Sequence, residues 1–211
     1  MQKIVSTLIF VFIVNIFPLL FKPELLVQFK PIIILIGTLA MFLTQPAFSL
    51  EETRNNKHTD KYSIVFILIA SAVSVGSSLI EWAYFSDQSS NLFLTILGIL
   101  MIIIGLIIRI TAINTLGKFF TATARTTNEH LLITSGPFSI MRHPSYAGAI
   151  LVITGVPVLL NNLITFFSTI LLLFFAYDFR IKSEEKVLIS TFGEKYLQYS
   201  LKVKKIVPHL W

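Results

Sequence analysis

Six long apolar runs constrain this chain more than any other feature. They cover about 4–21, 31–50, 62–85, 91–114, 145–160 and 163–181. A helix needs roughly 20 apolar residues to cross a bilayer. Of the 211 residues, 55% are hydrophobic and only 13% are charged, and the mean hydropathy is +0.79. The expected fold is an all-α integral membrane protein with about six transmembrane helices. No stretch outside the runs is large enough to build a separate core. The first run follows a single charge, Lys3, and ends in Phe21-Lys22-Pro23-Glu24 rather than a small-residue cleavage site. It therefore reads as a retained span, with a cleaved signal as the alternative.

Charge gives the orientation. With six spans, the N-terminus, loop 51–61, loop 115–144 and the C-terminal tail share one side and hold most of the lysines and arginines. The opposite side holds only Lys22 and Lys30. The basic side is expected to be cytoplasmic, with both termini inside. The net charge of +6 belongs to this asymmetry and does not point to nucleic acid. There is no cysteine, which excludes disulfides, thiolate metal sites and cysteine nucleophiles.

The second half is chemically richer than the first. Residues 1–114 read as four spans with plain connectors, and 115–211 as a functional core. Only Asn161-Asn162 separates the last two runs, so they form a tight helical hairpin. Pro144 suits the first turn of the fifth helix. The loop before it is long for a membrane connection, and loops of that length are usually functional or disordered. Phe119, Phe120, Leu131, Leu132, Ile133, Phe138 and Ile140 call for burial, so the loop is expected to fold against the helix ends and present His130 and His143.

Beyond the sixth run, Arg180 and Glu184 lie four residues apart on one helix face. A solvated helix exit with ordinary ion pairs is the plain reading. The short hairpin instead brings this pair close to Arg142, His143 and Tyr146, so two polar clusters converge on one cytoplasmic pocket. Gly193 ends or bends the helix, and 194–199 resumes as a short amphipathic segment that roofs the pocket or anchors at the interface. Lys202, Lys204 and Lys205 are expected to meet acidic headgroups. Arg109, late in the fourth run, either snorkels to the surface or lines the pocket. Glu81-Trp82-Ala83-Tyr84 reads as an interfacial aromatic belt.

Several chemistries are poorly supported. His130 and His143 lack a partner at metal-ligand spacing. No phosphate-binding glycine motif is present, and Ser145 follows Pro144 rather than sitting on a nucleophile elbow. A carboxylate beside aromatic faces suits a cationic centre, and Arg180 suits a carboxylate.

These residues resemble a known family. The run His130-Leu131-Leu132-Ile133-Thr134-Ser135-Gly136-Pro137-Phe138, followed by Arg142-His143-Pro144-Ser145-Tyr146-Ala147-Gly148, is similar to the signature of isoprenylcysteine carboxyl methyltransferases. Arg180, Glu184, Glu185, Leu188, Phe192-Gly193, Tyr196 and Tyr199 resemble that family's C-terminal half. The resemblance covers about residues 109–208. It implies a membrane enzyme using S-adenosyl-L-methionine. By position it implies cofactor contacts at His130, Leu131, Leu132, Ile133, Phe138, His143, Pro144, Ser145, Tyr146 and Glu184, and a substrate-side arginine at Arg180. Arg180 and Glu184 are the implied catalytic pair. Phe138 stands where many relatives have tyrosine, so a hydroxyl bond is lost there. A weaker cofactor position falls near Thr123. Phospholipid N-methyltransferases share a similar core.

The implied substrate is a lipophilic molecule or prenylated chain bearing a carboxylate, entering sideways from membrane lipid. Two alternatives stay open. Amine methylation would need a general base, for which Glu185 or His143 is available. A non-catalytic binding module would keep the scaffold without turnover. The short chain is expected to be prokaryotic and to sit in the cytoplasmic membrane.

Overall fold

The structure, a computed structural model, describes residues 2–44, 58–87, 91–120 and 131–208. It comprises α1 (Gln2–Val11), α2 (Phe29–Leu43), α3 (His58–Ile80), α4 (Leu92–Leu116), α5 (Pro144–Leu160), α6 (Leu163–Phe192) and α7 (Glu194–Lys202). Among the described residues the β pairing is a single parallel bridge, Met141 to Lys204. His130, Thr123, residues 45–50 of the expected second span and loop 51–57 lie outside the described residues.

Three helical stretches are long and apolar enough to cross a membrane: Tyr62–Phe85, Leu92–Leu116 and Leu163–Phe192. Three shorter apolar ones, Val5–Leu19, Phe29–Leu43 and Pro144–Leu160, complete the bundle. The first expected span is not one regular helix. After α1 the chain turns through a wider π-helical stretch, Phe12–Ile16, and a 3₁₀ turn, Phe17–Leu19. Pro18 lacks the N–H that would close onto the preceding turn, and its ring crowds that carbonyl.

Helix α5 is the axis of the bundle. Twelve of its residues, from Pro144 to Leu160, are buried. A helix apolar on every face belongs inside a bundle, so α5 does not need the length of a lipid-facing span. It packs antiparallel along α4 at a distance set by glycine. A Cβ on Gly105 would meet the Gly148 carbonyl oxygen at 2.6 Å, and one on Gly98 would meet the Leu159 backbone nitrogen at 2.4 Å. Small residues of this kind let two helix backbones approach closely within a membrane.

The expected hairpin is present. Asn161 adopts the left-handed conformation (φ 62°) that ends α5, and the Asn162 amide donates to the Pro157 carbonyl at 2.8 Å. Asparagine accepts this conformation more readily than most residues. The Asn162 side chain donates to the Ser78 carbonyl at 2.7 Å, and Glu81 accepts from the Thr165 amide at 3.2 Å, one of the open donors at the start of α6. Glu81 is therefore a structural cap. Trp82 is only 1% exposed, so it is a core residue and not part of an interfacial belt.

Helix α6 runs well past residue 181 to Phe192 and stops where Gly193 takes φ 53°. Its 30 residues span about 45 Å, more than the ~30 Å apolar core of a bilayer. Its polar last turns therefore project at the end where α5 begins.

The glycine seam makes a direct prediction. Gly105→Ala should destabilise the protein by about 1–3 kcal/mol through overpacking. Gly76→Ala, whose Cβ would find only Pro18 Cγ at 4.0 Å, should be neutral or stabilising. Thermal unfolding in detergent micelles compares them; equal stabilities would contradict the seam.

Candidate active site

The start of α5 and the projecting end of α6 meet, as the short hairpin requires. The Tyr146 hydroxyl donates to Glu184 Oε2 at 2.6 Å and accepts from Arg180 Nε at 3.0 Å. Arg180 Nη1 reaches the Ser63 hydroxyl on α3 at 3.2 Å. His143 stacks on Tyr146 with ring centres 5.5 Å apart and planes 4° from parallel, and its Nδ1 lies 4.0 Å from Glu184 Oε2. The Tyr146 ring also sits 5.3 Å from that of Tyr177. Arg180 and His143 are buried, whereas the Glu184 side chain is 26% exposed. One carboxylate thus faces the mouth, oriented from behind by a phenol and a buried guanidinium.

The neighbouring carboxylate has different surroundings. Glu185 Oε1 receives Arg142 Nε at 2.8 Å and Nη2 at 2.7 Å, His143 Nε2 at 3.2 Å and the Tyr196 hydroxyl at 3.2 Å. Arg142 also donates through Nη1 to the carbonyls of Ser200, at 3.0 Å, and Val203. The Arg142 and His143 amides donate to the carbonyls of Lys204 and Lys205 at 2.8 and 2.9 Å. The Tyr199 hydroxyl donates to the Phe138 carbonyl at 2.5 Å. These bonds pin the 138–143 loop, α7 and the tail to α6. Tyr196 and Tyr199 are therefore parts of the roof rather than interfacial anchors. Burial pushes the Tyr196 phenol up, and the Glu185 carboxylate pushes it further the same way. Burial raises Tyr199 to about 12.

Other sequence-predicted residues divide by position. Phe138 is buried beneath the roof, in the 3₁₀ turn Gly136–Ser139. Pro144 and Ser145 form the buried first turn of α5. Leu132 and Ile133 are half-buried, while Leu131 and Ile140 are 69% and 57% exposed, against the expectation of burial. They lie at the helix ends, where a membrane protein's outer surface carries single apolar side chains at little cost.

Arg109 is buried inside the bundle rather than snorkelling to the surface. It is 2% exposed and donates to the Ser145 carbonyl at 3.1 Å and the Thr44 hydroxyl at 3.4 Å. Among the described residues its hydrogen-bond partners are neutral. A buried cation with neutral partners invites an anion. Arg109 and Glu185 are the buried or half-buried polar positions whose partners sequence spacing left undecided. The signal for Arg109 was an arginine inside an apolar run; for Glu185 it was a second acid beside the first.

Beside this polar cluster lies an apolar chamber, partly open to the outside. Tyr177, Val152 and Ile153 line its upper part, and Val14, Ile34 and Val156 line it deeper in the bundle. Thr38 and Ser71 also line it, but their hydroxyls donate to the Ile34 and Ile67 carbonyls at 2.8 and 2.7 Å. Tyr177, which lines the chamber, packs on Tyr146 of the polar cluster.

Comparison with known proteins gives one consistent answer. The model of the isoprenylcysteine carboxyl methyltransferase (ICMT) family matches residues 97–190. Protein-S-isoprenylcysteine O-methyltransferase B of Arabidopsis thaliana is 37% identical over 144 residues, covering 66% of this chain and 72% of that protein. The Saccharomyces cerevisiae protein-S-isoprenylcysteine O-methyltransferase is 34% identical over 60% of this chain and 54% of its own length. A solved structure of the eukaryotic intramembrane Ras methyltransferase ICMT superimposes with a TM-score of 0.64 at 26% identity, covering 95% of this chain and 74% of that one. These relatives are eukaryotic, so the expectation of a prokaryotic chain is not borne out.

Tyr199 offers a test of the roof. Its raised pKa means that the folded protein holds the phenolic proton more tightly than the unfolded chain. The associated stability is complete below the ordinary tyrosine value of 10 and is lost as pH rises through about 12. Tyr199→Phe should cost about 1 kcal/mol at neutral pH. It should also flatten the alkaline fall in stability, read by unfolding at a series of pH values; an unchanged profile would contradict the Tyr199–Phe138 clamp.

Proposed function

The chain belongs to the isoprenylcysteine carboxyl methyltransferase family, and from that premise we propose that this membrane methyltransferase O-methylates the carboxylate of a lipophilic, isoprenylcysteine-like substrate. The observation that carries the reading is the arrangement at Tyr146. An oriented carboxylate, aromatic faces and buried guanidiniums stand together, and the Tyr177 ring that packs on Tyr146 also lines an apolar chamber.

The methyl donor we propose is S-adenosyl-L-methionine, which supplies an electrophilic methyl group on a positively charged sulfur. The residues fit such a donor: Glu184 offers a carboxylate to a cation, and His143, Tyr146 and Phe138 offer aromatic surface. Pro144 and Ser145 form the buried helix start next to His143; they, Leu131, Leu132, Ile133 and His130 keep the donor-binding assignment from their sequence positions.

The remaining chemistry belongs to the protein. Arg180 and Arg109 are suited to hold the substrate carboxylate. Tyr146, bonded to both Arg180 and Glu184, fixes the relative position of the two half-sites. The roof of α7 and the tail excludes water. Positioning of this kind is worth several kcal/mol without a proton transfer. A carboxylate nucleophile is already ionised and needs no base. That agrees with the site, because Glu185 Oε1 is bonded to Arg142, His143 and Tyr196 and is poorly placed to accept a substrate proton. Amine methylation is less well served for the same reason, and membership of an enzyme family argues against a non-catalytic module. In this reading residues 115–211, with Arg109, carry the chemistry. The end bearing the site faces the cytoplasm, as the basic loops suggest.

The test is to supply membranes bearing the protein with methyl-labelled donor and an S-prenylated cysteine acid. Label released by mild base indicates an ester. Stable label on a lipid amine would overturn the proposal in favour of N-methylation. Arg180→Ala and Arg109→Leu should each lower kcat/KM by about a hundredfold, as expected when one side of a buried charge-assisted contact is removed. Unchanged kcat/KM would remove that residue from the assignment.

A further inference from the structure

Hydroxyls inside this bundle commonly serve their own helix. Thr38, Ser71, Ser78 and Thr154 each donate to the carbonyl four residues back, at 2.7 or 2.8 Å. Such bonds keep a polar group satisfied without reaching a neighbour.

Ser63 and Thr44 reach across the bundle instead. Ser63, on α3, is 0% exposed, and its hydroxyl oxygen accepts from Arg180 Nη1 on α6 at 3.2 Å. Thr44, the residue after α2, accepts from Arg109 Nε on α4 at 3.4 Å. The Thr44 proton is directed to its own helix, where the Ala40 and Met41 carbonyls lie at 3.0 and 2.9 Å, so a lone pair is turned toward the guanidinium. Both arginines lie within residues 97–190, which the family model matches, and both hydroxyls lie before them.

Each guanidinium therefore has two anchors. The second anchors are neighbours in the first turn of α5: Arg180 Nε donates to the Tyr146 hydroxyl at 3.0 Å, and Arg109 Nη1 to the Ser145 carbonyl at 3.1 Å. A single hydrogen bond leaves a guanidinium free to swing about it. Two bonds from different nitrogens fix its plane. The plane matters because a carboxylate is recognised by a planar fork of N–H groups that must face it. Both arginines are buried, so little water is at hand to replace a lost partner.

We propose that Ser63 and Thr44 are positioning residues for the methyl acceptor: they fix the planes of Arg180 and Arg109, the guanidiniums suited to its carboxylate. The inference rests on the methyl-transfer reading and adds two residues from the first half of the chain to that site. The donor, held by Glu184 and the aromatic faces, is outside their reach.

The experiment uses the full chain in lipid nanodiscs, methyl-labelled S-adenosyl-L-methionine and N-acetyl-S-farnesylcysteine as acceptor. Ser63→Ala should raise the acceptor KM about tenfold, as expected for one lost hydrogen bond to a buried charge. Its kcat and the donor KM should stay within about twofold, the pattern of a lost binding contact rather than a damaged fold. Thr44→Val, isosteric but without the hydroxyl, should act in the same direction. Ser63→Thr and Thr44→Ser keep a hydroxyl and should bring the acceptor KM back to within about twofold of wild type. Thermal unfolding confirms that each variant is folded. In an Arg180→Ala background, Ser63→Ala should add nothing to the acceptor KM, because the group it positions is gone. An acceptor KM unmoved by both hydroxyl losses overturns the proposal. So does an equal rise in donor and acceptor KM, or a full Ser63→Ala effect that persists without Arg180. Each of these leaves methyl transfer standing, whereas absence of labelled ester with the wild type overturns the underlying reading.

Discussion

The polar end of this protein depends on the ion pair between Arg142 and Glu185. Both side chains are largely buried, at 8% and 16% exposure. Such a pair needs its remaining hydrogen bonds satisfied to offset desolvation. Here they are supplied by His143 and Tyr196 on the carboxylate and by the tail carbonyls on the guanidinium. One contact therefore ties four pieces of chain: the loop before α5, the end of α6, α7 and the tail. It reinforces the backbone bonds from the Arg142 and His143 amides to the Lys204 and Lys205 carbonyls, which hold the tail beside Met141.

The pair also divides labour between adjacent acids. A helix turns by about 100° per residue, so Glu184 and Glu185 face different neighbours. Glu185 is committed to the clamp. Glu184 meets Tyr146 and Arg180 and remains partly open to the mouth. The clamp fixes the rotation and height of α6 relative to α5, and that in turn brings the Tyr146 hydroxyl within 2.6 Å of Glu184. Lower in the bundle, the glycine seam between α4 and α5 serves the same end. It places Arg109 of α4 beside Ser145 of α5.

Much of this was legible in the sequence because it follows from spacing. The apolar runs mark the helices, Asn161-Asn162 marks the hairpin, and a short hairpin forces its two flanks together. Rotation was less legible. Spacing places Arg180 and Glu184 on one face but does not say which acid of the pair 184–185 meets Arg142, because that partner comes from a loop far away in sequence. Arg109 had the same ambiguity, resolved by the close approach of α5. Trp82 was misread because its position near a helix end suggested an interface. The packing of α3 against α6, with Glu81 capping the α6 start, buries it instead. The break after α1 follows from Pro18 but is hidden within a uniformly apolar run.

A double-mutant cycle on Arg142 and Glu185 tests the clamp most directly. Arg142→Met, Glu185→Gln and the double variant would be compared by equilibrium unfolding in mixed micelles. The account predicts a coupling energy of about 2 kcal/mol or more, with the double change costing that much less than the sum of the two single changes. A coupling below about 0.5 kcal/mol would mean that the two residues act independently, and the organisation of the site around this pair would be wrong.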